Sequence, residues 1–271
     1  MPFILQKLFD EGTSEPFFAR MMMQNLELRD AAFRDEKEKR EFDELYQPML
    51  DALVECRAAM KHYVQSIEDH EMKIKSGVII SFQKHALNIS ESIDLELNKN
   101  FKDFFIKGTI ALNCLNRICK HLGYPISFFF QTDSKFQAGI KKFLNKNNGS
   151  KFGDFMKLLQ DDREKWHSQF DEVRNKIEHE GLTLPRIGYR VNATGTVDVA
   201  FPTMNHIPID KTLNLFWNNL WEFAEDVIVS ILSFKLTSPM IIAVVPENQR
   251  DPNLSRKYVI SLPPEILGKL V

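Results

Sequence analysis

Apolar residues recur at three- and four-residue spacing along most of the chain, a pattern that predicts amphipathic helices. The first helical stretch opens at Pro16, and Pro48 is expected to break or restart it. A second helical pattern reaches about Ile74, and a third covers residues 85–121. Because short connections favour neighbouring helices, residues 16–236 are predicted to form an antiparallel α-helical bundle.

Two later segments change from helical spacing to strict alternation, which predicts β-strands. Residues 186–202 alternate on both sides of the sequence NATG, so we expect a β-hairpin inserted between the last two helices, ahead of a helix at 211–236. Residues 237–271 are predicted to form a small C-terminal β appendage, and residues 1–15 a leader. The apolar run 78–82 is too short for its type to be decided. The predicted fold class is mainly α.

Composition and charge narrow the class of protein. The 271 residues are 44% hydrophobic and 27% charged, which is typical of a globular domain. A formal net charge of −2 excludes a strongly basic nucleic-acid coat, so RNA binding would depend on a local patch. Because no secretion signal or transmembrane run is visible, we expect a cytoplasmic protein without a membrane partner. The cysteines lack metal-ligand spacing and are expected to be buried, reduced thiols; they are Cys56, Cys114 and Cys119.

The segment 170–181, FDEVRNKIEHEG, carries the candidate chemistry. When it is wound as an α-helix, its polar residues cover an arc of about 140° beside an apolar stripe. They are Arg174, Asn175, Glu178 and His179. Gly181 is the residue type that ends a helix in the left-handed conformation, which places His179 in the last turn. A surface ion pair with a terminal histidine cap would explain the same residues without any function.

Arg174, the polar Asn175 after it and His179 resemble the Arg-x4-6-His motif of the HEPN superfamily (higher eukaryotes and prokaryotes nucleotide-binding). In that family the motif lies near the end of the third helix of an α-helical bundle. The resemblance implies a metal-independent endoribonuclease in which two protomers pair, so that two motifs form one composite active site without a cofactor. The expected partners are RNA, a second copy of the chain and an antitoxin or other regulatory protein in a prokaryotic defence or toxin–antitoxin context.

The expected chemistry follows from the substrate, because RNA carries its own nucleophile in the 2′-hydroxyl. His179 would act as general acid or base, and Arg174 would hold the phosphate with its planar fork. Asn175 would donate to a phosphate oxygen or orient His179. Glu178 would pair with Arg174 or tune the imidazole. Two histidines brought together across a twofold axis would supply an acid and a base, and the product would carry a 2′,3′-cyclic phosphate.

Two further groups of cations are candidates for RNA binding. Residues 134–151 hold five lysines and no acidic residue, although a solvated loop around a short amphipathic helix would also explain them and is the simpler interpretation. The lysines expected to follow an RNA backbone are Lys141, Lys142 and Lys146. Arg163 and His167 precede Arg174 by two to three turns and nearly eclipse it at about 100° per residue. They would extend a cationic stripe towards the site, or would be surface residues without a role.

A hypothesis from another class is a non-catalytic HEPN-like module that binds a nucleotide or a protein and serves as a scaffold. Other enzyme signatures are missing from the sequence: there is no GxxxxGK[ST], no GxGxxG after a strand, no HExxH and no GxSxG elbow. His62 and His70 lie two turns apart on a predicted helix without a third ligand, so no metal site is expected.

Overall fold

The computed structural model describes residues 15–83, 86–251 and 255–267, which are mainly helical. The helices are α1 (Pro16–Phe18), α2 (Asn25–Ala32), α3 (Glu36–Lys75), α4 (Asp94–His121), α5 (Asp133–Lys146), α6 (Ser150–Asp162), α7 (Ser168–His179), α8 (Ile209–Lys235) and α9 (Pro264–Leu267). Among the described residues, π-helical turns lie at Ala19–Gln24 and Arg163–His167, and 3₁₀ turns at Ser127–Phe130 and Glu247–Gln249. Except for Glu15, the predicted leader lies outside the described residues.

Each sheet in the described part of the chain consists of two antiparallel strands. The pairs are β1 (Ile80–Gln83) with β2 (Ala86–Ile89), β3 (Gly188–Val191) with β4 (Val197–Ala200), β5 (Thr203–Met204) with β6 (Ile207–Pro208), and β7 (Ile241–Val244) with β8 (Tyr258–Ser261). The hairpin predicted at 186–202 is confirmed as β3 and β4. Its turn holds Gly195 at a φ of 84°, which glycine adopts without steric cost. The region 237–271, predicted to be a β appendage, contains the strand pair β7 and β8.

Several predicted helix boundaries are wrong for local reasons. The helix expected from about residue 85 begins at Asp94, because the residues before it pair as β2 with β1. Pro48 does not break α3, although a proline inside a helix removes one backbone hydrogen bond. The neighbouring Met49 and Leu50 are buried, and their packing offsets that loss. The chain instead breaks at Phe33, whose backbone is extended with φ −115° and ψ 128°.

The chain divides into two compact units, with boundaries inside α3, α4, α6 and α8. The first unit comprises Met1–Leu50, Cys114–Lys157 and Trp221–Val271, and the second comprises Asp51–Asn113 and Leu158–Leu220.

The first unit buries aromatic rings and an ion pair. Phe129 stacks on Phe223 with ring centroids 4.9 Å apart. Arg20, in the π-helical turn, donates from Nε to Glu225 Oε1 at 2.8 Å, and its Nη2 bonds to Oε2. Gln24 Nε2 donates to the same Oε1 at 2.8 Å. Gln24 Oε1 accepts hydrogen bonds from the backbone N–H groups of Lys257 and Tyr258, at the start of β8. This network ties the N-terminal turns to α8 and to the C-terminal hairpin.

The second unit has a core of phenylalanine rings from three helices. Phe105 of α4 lies 4.9 Å from Phe170 of α7 and 5.7 Å from Phe216 of α8, measured between ring centroids. A Cβ placed on Gly108 would lie 2.7 Å from Phe170 Cζ, so α4 and α7 approach too closely there for any side chain. This contact fixes the face that α7 turns inward.

The three cysteines are free and buried, as predicted. Burial raises the pKa of the Cys56 thiol well above its usual value, which keeps that thiol protonated and unreactive. In residues 15–83, 86–251 and 255–267, no helix is long and apolar enough to cross a membrane.

Candidate functional site

The apolar stripe of α7 determines which of its residues face outward. Phe170, Val173 and Ile177 are buried at spacings of three and four, which is the repeat of one helical face. The helix ends as predicted, with Gly181 at a φ of 68° and the Leu182 N–H bonded to a carbonyl in the preceding turn. The motif therefore occupies the last two turns of α7, beside the buried stripe.

The polar residues of the motif form a connected row on the surface of α7. Arg174 Nη1 donates to Asn175 Oδ1 at 2.8 Å, and Asn175 Nδ2 donates to Asp171 Oδ2 at 3.2 Å. Arg174 Nε lies 3.1 Å from Glu178 Oε1 as an ion pair, without the alignment of a hydrogen bond. Glu178 Oε2 lies 4.0 Å from His179 Nε2. The structure thus brings together all four motif residues and adds Asp171 to them.

Exposure differs along this row. The His179 side chain is 70% exposed, whereas that of Arg174 is 26% exposed and that of Glu178 is 35% exposed. The imidazole is therefore open to an approaching substrate. The guanidinium is held by an amide and a carboxylate, so a phosphate would compete with Glu178 for it.

The cationic stripe expected before the motif is wrong at His167. This residue and Arg163 lie in a π-helical turn, which changes the phase of every later residue relative to a uniform 100° per residue. His167 is only 4% exposed, and burial lowers the pKa of its ring to about 3, with the charge of Arg163 adding to the effect. The ring is thus neutral and packed, and it cannot contribute a charge to RNA binding. Arg163 is half-buried in the same turn.

The lysines predicted to follow an RNA backbone lie on α5 of the first unit, whereas the motif lies in the second unit. Their helix buries Phe136, Ile140 and Phe143 and leaves the lysines exposed. The segment is thus an amphipathic helix for most of its length. A role for the three lysines in RNA binding stays a prediction; they are Lys141, Lys142 and Lys146.

Sequence analysis missed the contacts that hold the residues after α7, which we call the post-motif segment (residues 181–190). Asn98 Oδ1 accepts a hydrogen bond from the Leu184 N–H at 2.7 Å, and Asp94 Oδ1 accepts one from the Ile187 N–H at 2.9 Å. Both acceptors lie in the first turns of α4. Asparagine and aspartate are common near helix starts, so their presence alone did not indicate a partner 86 to 93 positions away.

A third contact fastens the same segment to α3. Tyr189 of β3 and His70 are hydrogen-bonded at 2.7 Å between the hydroxyl oxygen and Nε2. His70 is 1% exposed, and burial lowers the pKa of its ring, which favours the neutral form. The post-motif segment is therefore held at three points within the second unit.

The described ranges contain no group of three histidine, cysteine, aspartate or glutamate side chains arranged to hold a metal ion. Comparison with protein-family models, curated proteins and solved structures finds no match for the chain. A functional hypothesis therefore rests on the sequence motif and on the geometry of α7.

Proposed function

We propose that the protein is a metal-independent endoribonuclease with a composite active site, formed by the α7 motifs of two protomers in a homodimer. The observation that carries the proposal is the row of motif residues at the end of α7. An arginine, an amide, a carboxylate and an exposed imidazole lie within two turns of one helix. An imidazole can transfer protons and a guanidinium can stabilise charge on a phosphate, and these two tasks promote cleavage of a phosphodiester by the neighbouring 2′-hydroxyl.

Each residue has a definite task in this reaction. One His179 ring takes the proton from the 2′-hydroxyl, whose oxygen attacks phosphorus, while a second ring gives a proton to the departing 5′-oxygen. Arg174 neutralises the charge that develops on the phosphate oxygens, and Asn175 orients the guanidinium through its 2.8 Å hydrogen bond. Glu178 holds the other side of Arg174 until the phosphate binds. The products carry a 2′,3′-cyclic phosphate and a 5′-hydroxyl.

The need for two proton-transfer groups is the reason for a dimer. A single α7 motif offers one imidazole, and a second copy of the chain would supply the other across a twofold axis. In a defence or toxin–antitoxin context, an antitoxin or other regulatory protein would act by covering the exposed end of α7.

The test is cleavage of a labelled RNA in EDTA by the full chain. We expect His179→Ala to slow cleavage by about 10²–10⁴-fold, because it removes the proton-transfer group. Arg174→Ala should slow it by about 10²–10³-fold through loss of charge stabilisation. Lys176→Ala is the matched control, since Lys176 lies on the same helix and pairs with Glu172 at the same four-residue spacing. His62→Ala removes an exposed histidine of α3, and both control variants should cleave like the wild type.

The same assay tests the composite site when wild-type protein is mixed with increasing amounts of His179→Ala and the two are allowed to exchange subunits. If both protomers supply a ring, activity falls with the square of the wild-type fraction. A linear fall would show that each protomer acts alone. Cleavage that survives His179→Ala, or a folded wild type that does not cleave any RNA, would contradict the proposal.

The second candidate function is a non-catalytic module that binds a nucleotide or a protein. The observation that favours it is the engagement of Arg174 by Asn175 and Glu178, which leaves the guanidinium already paired. RNA binding without cleavage by the wild type, Arg174→Ala and His179→Ala would support this alternative.

A further inference from the structure

The surface of α7 does not itself provide a basic patch for a polyanion. Its outward residues include more carboxylates than cations, and the cations on it are engaged by carboxylates. Arg174 pairs with Glu178, and Lys176 pairs with Glu172 at 2.6 Å. An RNA strand that reaches His179 must therefore be held largely by cations outside this helix.

The last five residues of the post-motif segment, 186–190, present their side chains alternately outward and inward. Ile187 is buried and Tyr189 is half-buried, whereas Arg186, Gly188 and Arg190 are exposed. This alternation is that of an extended strand, in which residues two apart share a face. Arg186 and Arg190 thus project from the same outward face, with Cα atoms about 13 Å apart.

The backbone that carries these two arginines is fixed on its inner side. Asp94 holds the Ile187 N–H at 2.9 Å, and His70 holds the Tyr189 hydroxyl at 2.7 Å. Each anchored residue lies directly beside an outward arginine in the chain. The side chains are therefore displayed from a preorganised segment that leads into β3, which reduces the entropy lost when a ligand binds.

Many surface cations of the second unit are already neutralised, whereas these two arginines are not. Those with a carboxylate partner include Lys73, Lys75, Lys107, Lys176 and Lys211. Among the residues that the structure describes, Arg186 and Arg190 form no ion pair. A guanidinium without a carboxylate partner keeps its fork available for two oxygens of a phosphate.

We propose that Arg186 and Arg190 form a phosphate-binding track for the RNA strand whose scissile bond lies at His179. The inference rests on the proposed function and names the residues that hold its substrate. Arg186 lies seven positions after His179, so the track begins within about 25 Å of the imidazole. The two guanidinium groups contact different phosphates and do not read the sequence, because phosphate contacts position a strand without specifying its bases.

The two arginines are not equivalent. Asp198 of β4 lies directly opposite Arg190 in the register of the hairpin and is exposed on the same face. Directly opposed residues have Cβ atoms about 5 Å apart, so this carboxylate offsets part of the positive potential at Arg190. Arg186 therefore contributes more to RNA affinity than Arg190, and removal of the Asp198 charge strengthens binding.

The test is binding of a labelled single-stranded RNA to the full chain in EDTA across a range of salt concentrations. All variants carry His179→Ala, so that cleavage does not deplete the RNA. Adding Arg186→Ala should weaken binding about fivefold and reduce the slope of log affinity against log salt by about 0.7, the value for one lost phosphate contact. Adding Arg190→Ala should weaken it less, and Asp198→Asn should tighten it. Lys75→Ala, which removes a paired cation of the same unit, should leave binding unchanged.

Thermal melts establish that each variant is folded, and Arg186→Lys should recover part of the affinity because it restores the charge. If Arg186→Ala and Arg190→Ala bind with the affinity and salt slope of the His179→Ala parent, the track is overturned even when the wild type cleaves RNA. A folded parent that does not bind RNA also overturns it. If the arginines matter for binding but the wild type does not cleave, Arg186 and Arg190 stand as an RNA-binding track, and the nuclease proposal falls together with the scissile bond at His179.

Discussion

Two arginine–glutamate ion pairs differ in burial, and burial determines whether such a pair supports the fold or is open to ligands. Arg20 and Glu225 in the first unit are 6% and 0% exposed, and Trp221 covers the guanidinium at 4.4 Å. Arg174 and Glu178 in the second unit lie on a helix surface with side chains 26% and 35% exposed. The same chemical groups are thus sealed inside the protein in one region and open to ligands in the other.

The buried pair has a structural role. Burial, the largest effect, would lower the pKa of the Arg20 guanidinium, but the hydrogen bonding to Glu225 and the charges of Glu225, Glu222 and Asp226 together outweigh it and raise the pKa. The guanidinium therefore stays charged, and Gln24 ties the pair to the C-terminal hairpin. The exposed pair contributes little to stability, because water screens it, and its groups can exchange partners at low cost.

The largest change in the free energy of unfolding is expected when the buried pair is disrupted. Glu225→Leu leaves the Arg20 guanidinium buried without its counter-charge, so we expect the free energy of unfolding to fall by about 3–5 kcal/mol. The double variant Arg20→Met with Glu225→Leu should recover most of that loss, because an apolar pair of similar volume needs no counter-charge. Denaturant titration followed by circular dichroism measures both variants. A Glu225→Leu protein as stable as the wild type would show that the pair does not support the fold.

His167, a buried histidine of the second unit, extends the comparison to the dependence of stability on pH. The folded-state pKa of His167 is about 3 and lies below the unfolded value of about 6.5, so protonation favours the unfolded chain. This contribution is fully present above pH 6.5 and declines as the pH falls towards 3. Between pH 7.5 and pH 5 we expect the wild type to lose about 2 kcal/mol more than His167→Gln. Equal pH slopes for the two proteins would mean that His167 is not buried as a neutral ring.

The smallest expected effect concerns the exposed pair. Glu178→Gln should change the free energy of unfolding by only about 0.5 kcal/mol, the usual value for a surface pair at this spacing. Glu172→Gln, which breaks the neighbouring pair with Lys176, is the control and should behave alike. A loss near that of the buried pair would remove the distinction between the two regions.

Elements with strong local signals were predictable from the sequence. The stripe predicted at 211–236 is observed as α8 (Ile209–Lys235), and the alternation around NATG is observed as β3 and β4. Gly181 marked the end of α7 because a left-handed residue is needed there. The motif residues lie together as expected, since a regular helix keeps residues of neighbouring turns on one face.

The remaining features depend on information that is not local. The π-helical turn at Arg163–His167 has no sequence signal of its own, and it moved His167 into the core by changing the phase of the helix. The run 78–82 became part of a hairpin because β2 follows to pair with it. The anchors of the post-motif segment at Asp94 and Asn98 join residues that are far apart in the chain, and only the folded structure brings them together.

The proposal that the end of α7 is an active site is decided by the initial rate of RNA cleavage in EDTA, measured side by side for the wild type and His179→Ala. Because His179 is exposed, both proteins should have nearly the same free energy of unfolding, so a change in rate reports chemistry. We predict products with a 2′,3′-cyclic phosphate from the wild type and a rate lower by about 10²-fold or more in the variant. Equal rates for two equally folded proteins would show that the end of α7 is not an active site.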